Sequence, residues 1–334
     1  MTTGQALRRS ATFNGNLANG QVGGFANLIN TDSSVTLKPG GLLLNGGLPQ
    51  NLIVASPQWS SVTLRDNSDN SSYEALQSHV TKRFSQGLTG QFSYTFSKNL
   101  GDSGVRDQRN LALSKGLLNV DRTHIITSNA TYDLPFGHDK MLFAGVPGWA
   151  DRIINGWQVS SIATWTSGAP LTWTGTGGLY NSAGNTPDLV GTMPKGQVVK
   201  GNGFVTYWNG LTTPKAPLPD FGGDPNLAGK FTNQVLQDAN GNTIVQNAQP
   251  GALGTMPTYL PTIKGPGTLL FNMAATKSIR ISEGKTFTLR ADAVNVLNKP
   301  QWGNPSMNFN GTTFGRITTA LGARTVTMNA RIDF

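Results

Sequence analysis

Few side chains in this sequence could do chemistry, and none is spaced to do it with another. There are three histidines, His79, His124 and His138, and no cysteine. No pair of histidines has the H-x-x-x-H spacing that turns two imidazoles toward one metal ion. Thiolate sites and disulfides are excluded outright. Asp121-Arg122-Thr123-His124 offers an acid, a hydroxyl and an imidazole within four residues. At the entry to a strand, that cluster reads as a surface hydrogen-bonding group and not as a catalytic one. Asp238-Ala239-Asn240-Gly241-Asn242 opens like a calcium loop. However, Thr243 stands at position six, where glycine is needed, and Gln249 at position twelve, where a bidentate glutamate is needed. It reads as a turn. Gly175-Thr176-Gly177-Gly178 lacks the glycine spacing and the strand–helix setting of a dinucleotide loop. With no nucleophile beside a base, the chain reads as a non-enzyme without metal or cofactor.

Composition points away from a conventional soluble core. Charged residues are 13% and hydrophobic ones 37%, with 41 glycines and 18 prolines among 334 residues. An ordinary soluble domain is about 25% charged. Alternating apolar and small polar residues fit these figures. The net charge of +9 is dispersed, and the only adjacent basic pairs are Arg8-Arg9 and Lys82-Arg83. A nucleic-acid binder gathers its charge into a patch, so no nucleic-acid partner is expected. Scattered cations suit anionic lipid headgroups. No apolar run approaches the roughly 18 residues of a membrane helix. Residues Met1 to Arg9 lack the apolar stretch of a secretory signal, so the expectation is a cytoplasmic protein or a start upstream.

Seven segments alternate with period two, as a strand with two unlike faces does. They are Tyr73–Phe84, Leu88–Lys98, Arg122–Leu134, Gly156–Gly168, Thr268–Ile281, Lys285–Leu297 and Arg324–Phe334, and none contains a proline. Proline would remove a ladder donor. Phe92, Tyr94, Phe96, Phe287, Leu289, Val326, Met328 and Ile332 are expected on one, lipid-facing side. Gln91, Thr95, Arg290, Asp292, Asn329 and Arg331, with His79, are expected on the other. Connections alternate in length, tight at Ser85-Gln86-Gly87 and Ser282-Glu283-Gly284, intermediate at Pro135 to Asn155, and long at Asn99 to Asp121, Ala169 to Pro266 and Asn298 to Ala323, as in an outer-membrane barrel. Strands longer than the five or six residues of soluble sheets argue against a sandwich.

The longest connection, 169–266, holds 11 of the 18 prolines and a turn pair, Asn240-Gly241, between Val235–Asp238 and Thr243–Gln246. It is expected to be an ordered extracellular cap. Its Trp173, Tyr180, Tyr207 and Trp208 are the candidate ligand contacts. Residues 1–72 are expected to be extracellular loop with a remnant of an upstream strand, signalled weakly at Val62-Thr63-Leu64.

Ordered along the chain are Ser71-Ser72-Tyr73-Glu74-Ala75-Leu76-Gln77, Tyr94-Thr95-Phe96-Ser97-Lys98, Asp121-Arg122-Thr123-His124 and Leu134-Pro135-Phe136-Gly137. Then follow Gly156-Trp157-Gln158-Val159-Ser160, Ser167-Gly168-Ala169-Pro170, Gly265-Pro266-Gly267, Glu283-Gly284-Lys285, Asn295-Val296-Leu297-Asn298-Lys299-Pro300 and Phe334. In this order they resemble the C-terminal barrel of TonB-dependent outer-membrane receptors, the Oar-like group above all. The resemblance spans roughly 60–334. It implies an all-β, antiparallel up-and-down meander. Residues 73–334 would supply the last seven or so strands of a 22-stranded transmembrane barrel, open and not closed. It also implies a truncated gene or fragment, lacking signal peptide, TonB box and plug, of a receptor for energised uptake of an unknown extracellular ligand. Partners implied are outer-membrane lipid and lipopolysaccharide, the barrel assembly machinery reading Phe334 as its signal, and TonB only through the missing plug. Competing readings are a non-transporting adhesin or glycan-binding surface module and a complete small porin. Seven is odd for a porin, since bacterial barrels have even counts of at least eight strands.

Overall fold

The computed structural model describes residues 3–22, isolated positions between 24 and 67, and 69–334 except 86, 103, 108, 109, 139 and 176–184. The strand signal at Val62-Thr63-Leu64 and the side chain of Tyr180 lie outside the described residues. Seven long strands form one antiparallel sheet: β1 (Ser71–Ser85), β2 (Leu88–Asp102), β3 (His124–Asp133), β4 (Trp157–Thr166), β5 (Thr268–Ser282), β6 (Lys285–Val294) and β7 (Thr325–Asp333). Each pairs with its sequence neighbours, including β4 with β5 across the longest connection. The meander is therefore the one expected from periodicity. Among the described residues the sheet is open, with outer edges at β1 and β7.

Strand ends follow local chemistry. Between β5 and β6, Ser282 pairs with Lys285 across Glu283-Gly284, and Gly284 sits at φ 75°. A side chain there would be strained, which is why a two-residue turn takes glycine. At the other end of β6 the strand stops earlier than alternation suggests. Asn295 and Asn298 both take φ 49°. The buried Asn295 side chain then holds the corner, donating to the carbonyls of Lys299 and Gly322 and accepting from the Lys299 amide. Asparagine tolerates this left-handed backbone better than other residues with a Cβ.

Register decides the faces, because directly paired residues share one side of a sheet. Tyr94 pairs with Ile126, Ile126 with Trp165, Trp165 with Leu269. Phe287 pairs with Ile279 and Ile332, and Ala291 with Ala275 and Met328. These join into one apolar face that includes all eight side chains expected to face lipid. The opposite face carries Gln91 opposite Asn129, Arg290 opposite Asn329 and Asp292 opposite Thr327. Ile125 and Ile126 fall on opposite faces, so Ile125 interrupts the polar side. Glu74, Lys82 and Lys98 do lie on the apolar side, but toward strand ends, and Lys277 lies there buried. Glu74 and Lys82 are eight residues apart, about 26 Å of strand, close to the height of a barrel's apolar band.

With lipid against this face, one strand provides its own control. Ser161 shares the apolar face, paired with Ala130 and Met273. Its neighbour Ser160 shares the polar face, paired with Thr131 and Ala274. Ser161→Arg should lower unfolding free energy by about 2–4 kcal/mol, whereas Ser160→Arg should change it little. Urea titration of vesicle-inserted protein, followed by gel mobility, measures both. Equal costs would mean that both faces meet the same solvent.

The two tight turns and the β3–β4 connection sit at one end of the sheet, and the other three, all long, at the opposite end. At the long-connection end, residues distant in sequence pack into a second body. Its core contains Leu171, Trp173, Leu236, Ile244, Val245, Met256 and Ile263 from 169–266, together with Phe309 and Ile317 from the β6–β7 connection. The Asn240-Gly241 hairpin forms as expected: Val235–Gln237 pairs with Thr243–Gln246, and Gly241 takes φ 84°. Residues 1–72, expected as loop and strand remnant, begin instead with two short helices, α1 (Thr3–Arg9) and α2 (Asn14–Ala18). The Asn19 side chain donates to Lys230 O and accepts from the amides of Thr232 and Asn233. That docks the helices on the cap and buries Phe13.

Candidate functional site

The polar face of the sheet forms a shallow trough of about 370 Å³ lined by Asn129, Ser160, Asn272, Arg290 and Asp292 among others. Strand alternation puts Arg290 and Asp292 on one side of β6, and their charges meet at 2.7 Å. Arg331 and Asp333 repeat the arrangement on β7 at 2.6 Å. His79 also lies on this face, with its ring nitrogens 2.7 Å from Ser93 Oγ and 2.8 Å from Thr81 Oγ1. Hydroxyls, amides and self-paired charges make a wettable wall. The imidazole of His79 is held between the Ser93 and Thr81 hydroxyls on the exposed polar face. Among the described residues, no three His, Cys, Asp or Glu side chains gather as a metal ion would require.

The loop aromatics need correcting. Trp173 is 0% exposed, and Tyr207 and Trp208 are 6% each. Trp208 stacks on Phe314 with ring centres 5.4 Å apart, and Tyr207 meets Trp208 edge-on at 4.9 Å. The Trp208 indole donates to Pro194 O and the Tyr207 hydroxyl to Lys264 O. Burial pushes the Tyr207 hydroxyl's pKa up. These three side chains build the cap and have no surface left for a ligand. Aromatic rings with a polar tip serve cores and binding sites equally, so residue type alone misassigned them.

The Asp121–His124 motif also changes role. Asp121 is not at the surface: its side chain is 1% exposed and pairs with Lys264 at 2.9 Å. It also accepts from the Asn99 amide, while Lys264 reaches Thr123 Oγ1. The motif therefore ties β2, β3 and the chain entering β5 at the rim, where the backbone carbonyl of Lys264 accepts from the Tyr207 hydroxyl. His124 lies on the apolar face among Tyr94, Phe96 and Trp165, with Tyr94 Oη 3.0 Å from its Nδ1. This aromatic cluster is a girdle at the long-connection end. Trp157, eight residues before Trp165 on the same side of β4, marks the other end. Alternation alone could have found the girdle, had His124 been counted as an aromatic.

The glycine motifs are explained by proximity. A Cβ at Gly168 would lie 1.7 Å from Gly265 O, and one at Gly267 would lie 2.8 Å from Thr166 O. The two segments meet too closely for side chains as β4 and β5 leave the sheet for the cap. Arg106, which sequence reasoning passed over, is 5% exposed and reaches Thr186 Oγ1 at 2.8 Å and the Gly254 carbonyl. Burial lowers its pKa. It pins the β2–β3 connection to the cap. Phe334 lies one residue past β7 and is 93% exposed.

No helix among the described residues is long and apolar enough to cross a membrane. No curated protein and no solved structure matches the chain. A family model described as outer membrane beta barrel domain matches residues 4–327. With one continuous apolar face, one polar face and aromatic rings at both ends of the strands, the chain belongs to the outer membrane beta barrel domain family.

Proposed function

We propose that the chain forms the C-terminal wall of a TonB-dependent receptor barrel, of the Oar-like group, that takes up an extracellular ligand with energy supplied through a plug. The observation that carries this reading is the packed cap over the long-connection end. A passive pore needs no such body, and its core draws on two separate connections. Open sheet edges at β1 and β7 call for further strands, because unpaired backbone groups cannot stay in lipid. The buried cap aromatics move the search for ligand contacts to the trough around Arg290 and Asn272 and to the cap surface. Their mixture of hydroxyl, amide and paired charge suits a polar ligand.

The test compares spent growth medium from three strains of the source bacterium: parent, a deletion of this gene, and a deletion of TonB. A receptor leaves at least one compound undepleted in both deletions. Compounds spared in neither deletion, or in the TonB deletion alone, would overturn energised uptake by this protein. Loss of surface attachment without any uptake defect would favour an adhesin.

A further inference from the structure

The connection between β3 and β4 lies at the short-turn end yet is far longer than the other two connections there. It contains helix α3 (Gly148–Ile154). Its apolar side chains are turned out: Met141 is 80% exposed, Phe143 61%, Trp149 72% and Ile153 61%. Trp149 and Ile153 are four apart, on one side of the helix. Phe143 is held at φ 66°, a backbone that bulky residues avoid. The surrounding turn is closed by Gly137 N–H to Leu142 O and Leu142 N–H to Pro135 O. An outward ring kept in an unfavourable conformation has been fixed there by its surroundings, which marks a site with a use.

Two bonds locate this apolar tip relative to the sheet. The Trp157 indole donates to Ile153 O at 3.0 Å, and Lys277 Nζ donates to Asn155 O while lying 5.7 Å from the Trp157 ring. Trp157 and Lys277 are register partners on the apolar face. This also explains how a buried lysine is tolerated on that face: the connection covers it. Beyond Lys277, β5 carries Ile279 on the apolar face, paired with Phe287. The helix is therefore attached where the lipid-facing side of the sheet still continues. Its charges are sorted too. Asp151 turns inward, accepting from the His138 amide and the Asn155 side chain, which holds its carboxyl below the usual range. Lys140 and Arg152 are exposed. Apolar tips flanked by free cations are the pattern of a segment lying in a membrane interface.

We propose that the β3–β4 connection is an interfacial anchor, with Phe143, Trp149 and Ile153 inserted in the periplasmic leaflet beside the barrel and Lys140 and Arg152 at its phosphates. The proposal rests on the barrel reading, and the experiment separates the two. The chain has no cysteine, so single cysteines can be spin-labelled without background. Labels are placed by Phe143→Cys, Trp149→Cys, Met328→Cys on the apolar face and Asn240→Cys in the cap. The protein is reconstituted in vesicles of phosphatidylethanolamine and phosphatidylglycerol. Collisions with oxygen and with a water-soluble nickel chelate are then measured. The anchor predicts labels at 143 and 149 that resemble the one at 328: rich in oxygen collisions and several-fold poorer in nickel collisions than the one at 240. Nickel collisions at 143 and 149 equal to those at 240, with 328 in lipid, overturn the anchor and leave the barrel standing. Labels at 143 and 149 shielded from both reagents also overturn it, since protein would then cover the patch. A wet label at 328 removes the barrel reading itself.

Discussion

Trp173→Ala will destabilise the cap by about 3–5 kcal/mol, the usual cost of emptying a buried aromatic site. Trp173 is fully buried, and its ring lies 6.1 Å from Phe314, which in turn stacks on Trp208. Its loss therefore leaves a cavity between the two long connections that share the core. The seven-stranded sheet draws on separate contacts, so the damage should stay local. Limited proteolysis of membrane-inserted protein should cut within 169–266 at far lower protease concentrations than in the parent, while the sheet stays resistant. Trp173→Phe keeps most of the ring contact and should fall between the two. If Trp173 were instead a ligand contact, its alanine variant would keep full protease resistance.

Deleting Phe334 should leave most of the protein unassembled in the periplasm. β7 pairs on one side only, with β6, and its other edge is free. A nascent edge of this kind exposes amides and carbonyls that lipid cannot satisfy. It must be captured by strand addition, which reads backbone together with alternate side chains. Val326, Met328, Ile332 and Phe334 form that alternate set, and Phe334 is its exposed end. As an interfacial ring alone, Phe334 would be worth about 1.5–3 kcal/mol, and its deletion would leave assembly near normal. Heat-modifiable, surface-exposed barrel at parental yield after the deletion would therefore eliminate the signal role.

The sheet was legible because its determinants are local. A strand turns successive side chains to opposite faces, so the sequence Val326-Thr327-Met328-Asn329 carries its own orientation. A register slip of one residue would turn Arg290 and Asp292 toward lipid, which makes one pairing far better than its neighbours. Turns were legible for the same reason: Glu283-Gly284 and Asn240-Gly241 each need a left-handed backbone within two residues. Two determinations on that sheet came only from three dimensions. Lys277 breaks the apolar alternation, and nothing in β5 says that Asn155 will cover it. His124 is polar by type but belongs with Tyr94, Phe96 and Trp165 once register brings them together.

The cap shows the limit most clearly. From sequence, 169–266 reads as ordered, turn-rich and aromatic, and its described residues pack around a core. Which of its rings point inward was undetermined, because irregular chain has no period from which to read a face. Trp173, Tyr207 and Trp208 have the same composition as a binding site. Only the arrival of Phe309, Phe314 and Ile317 from a connection more than a hundred residues later makes them a core. In the same way Asp121 reads as a surface acid until Lys264 reaches it. Periodicity determined the faces of this protein, since backbone geometry repeats along the chain. Burial in the cap was decided by tertiary structure, since it depends on contacts between segments whose sequences carry no record of one another.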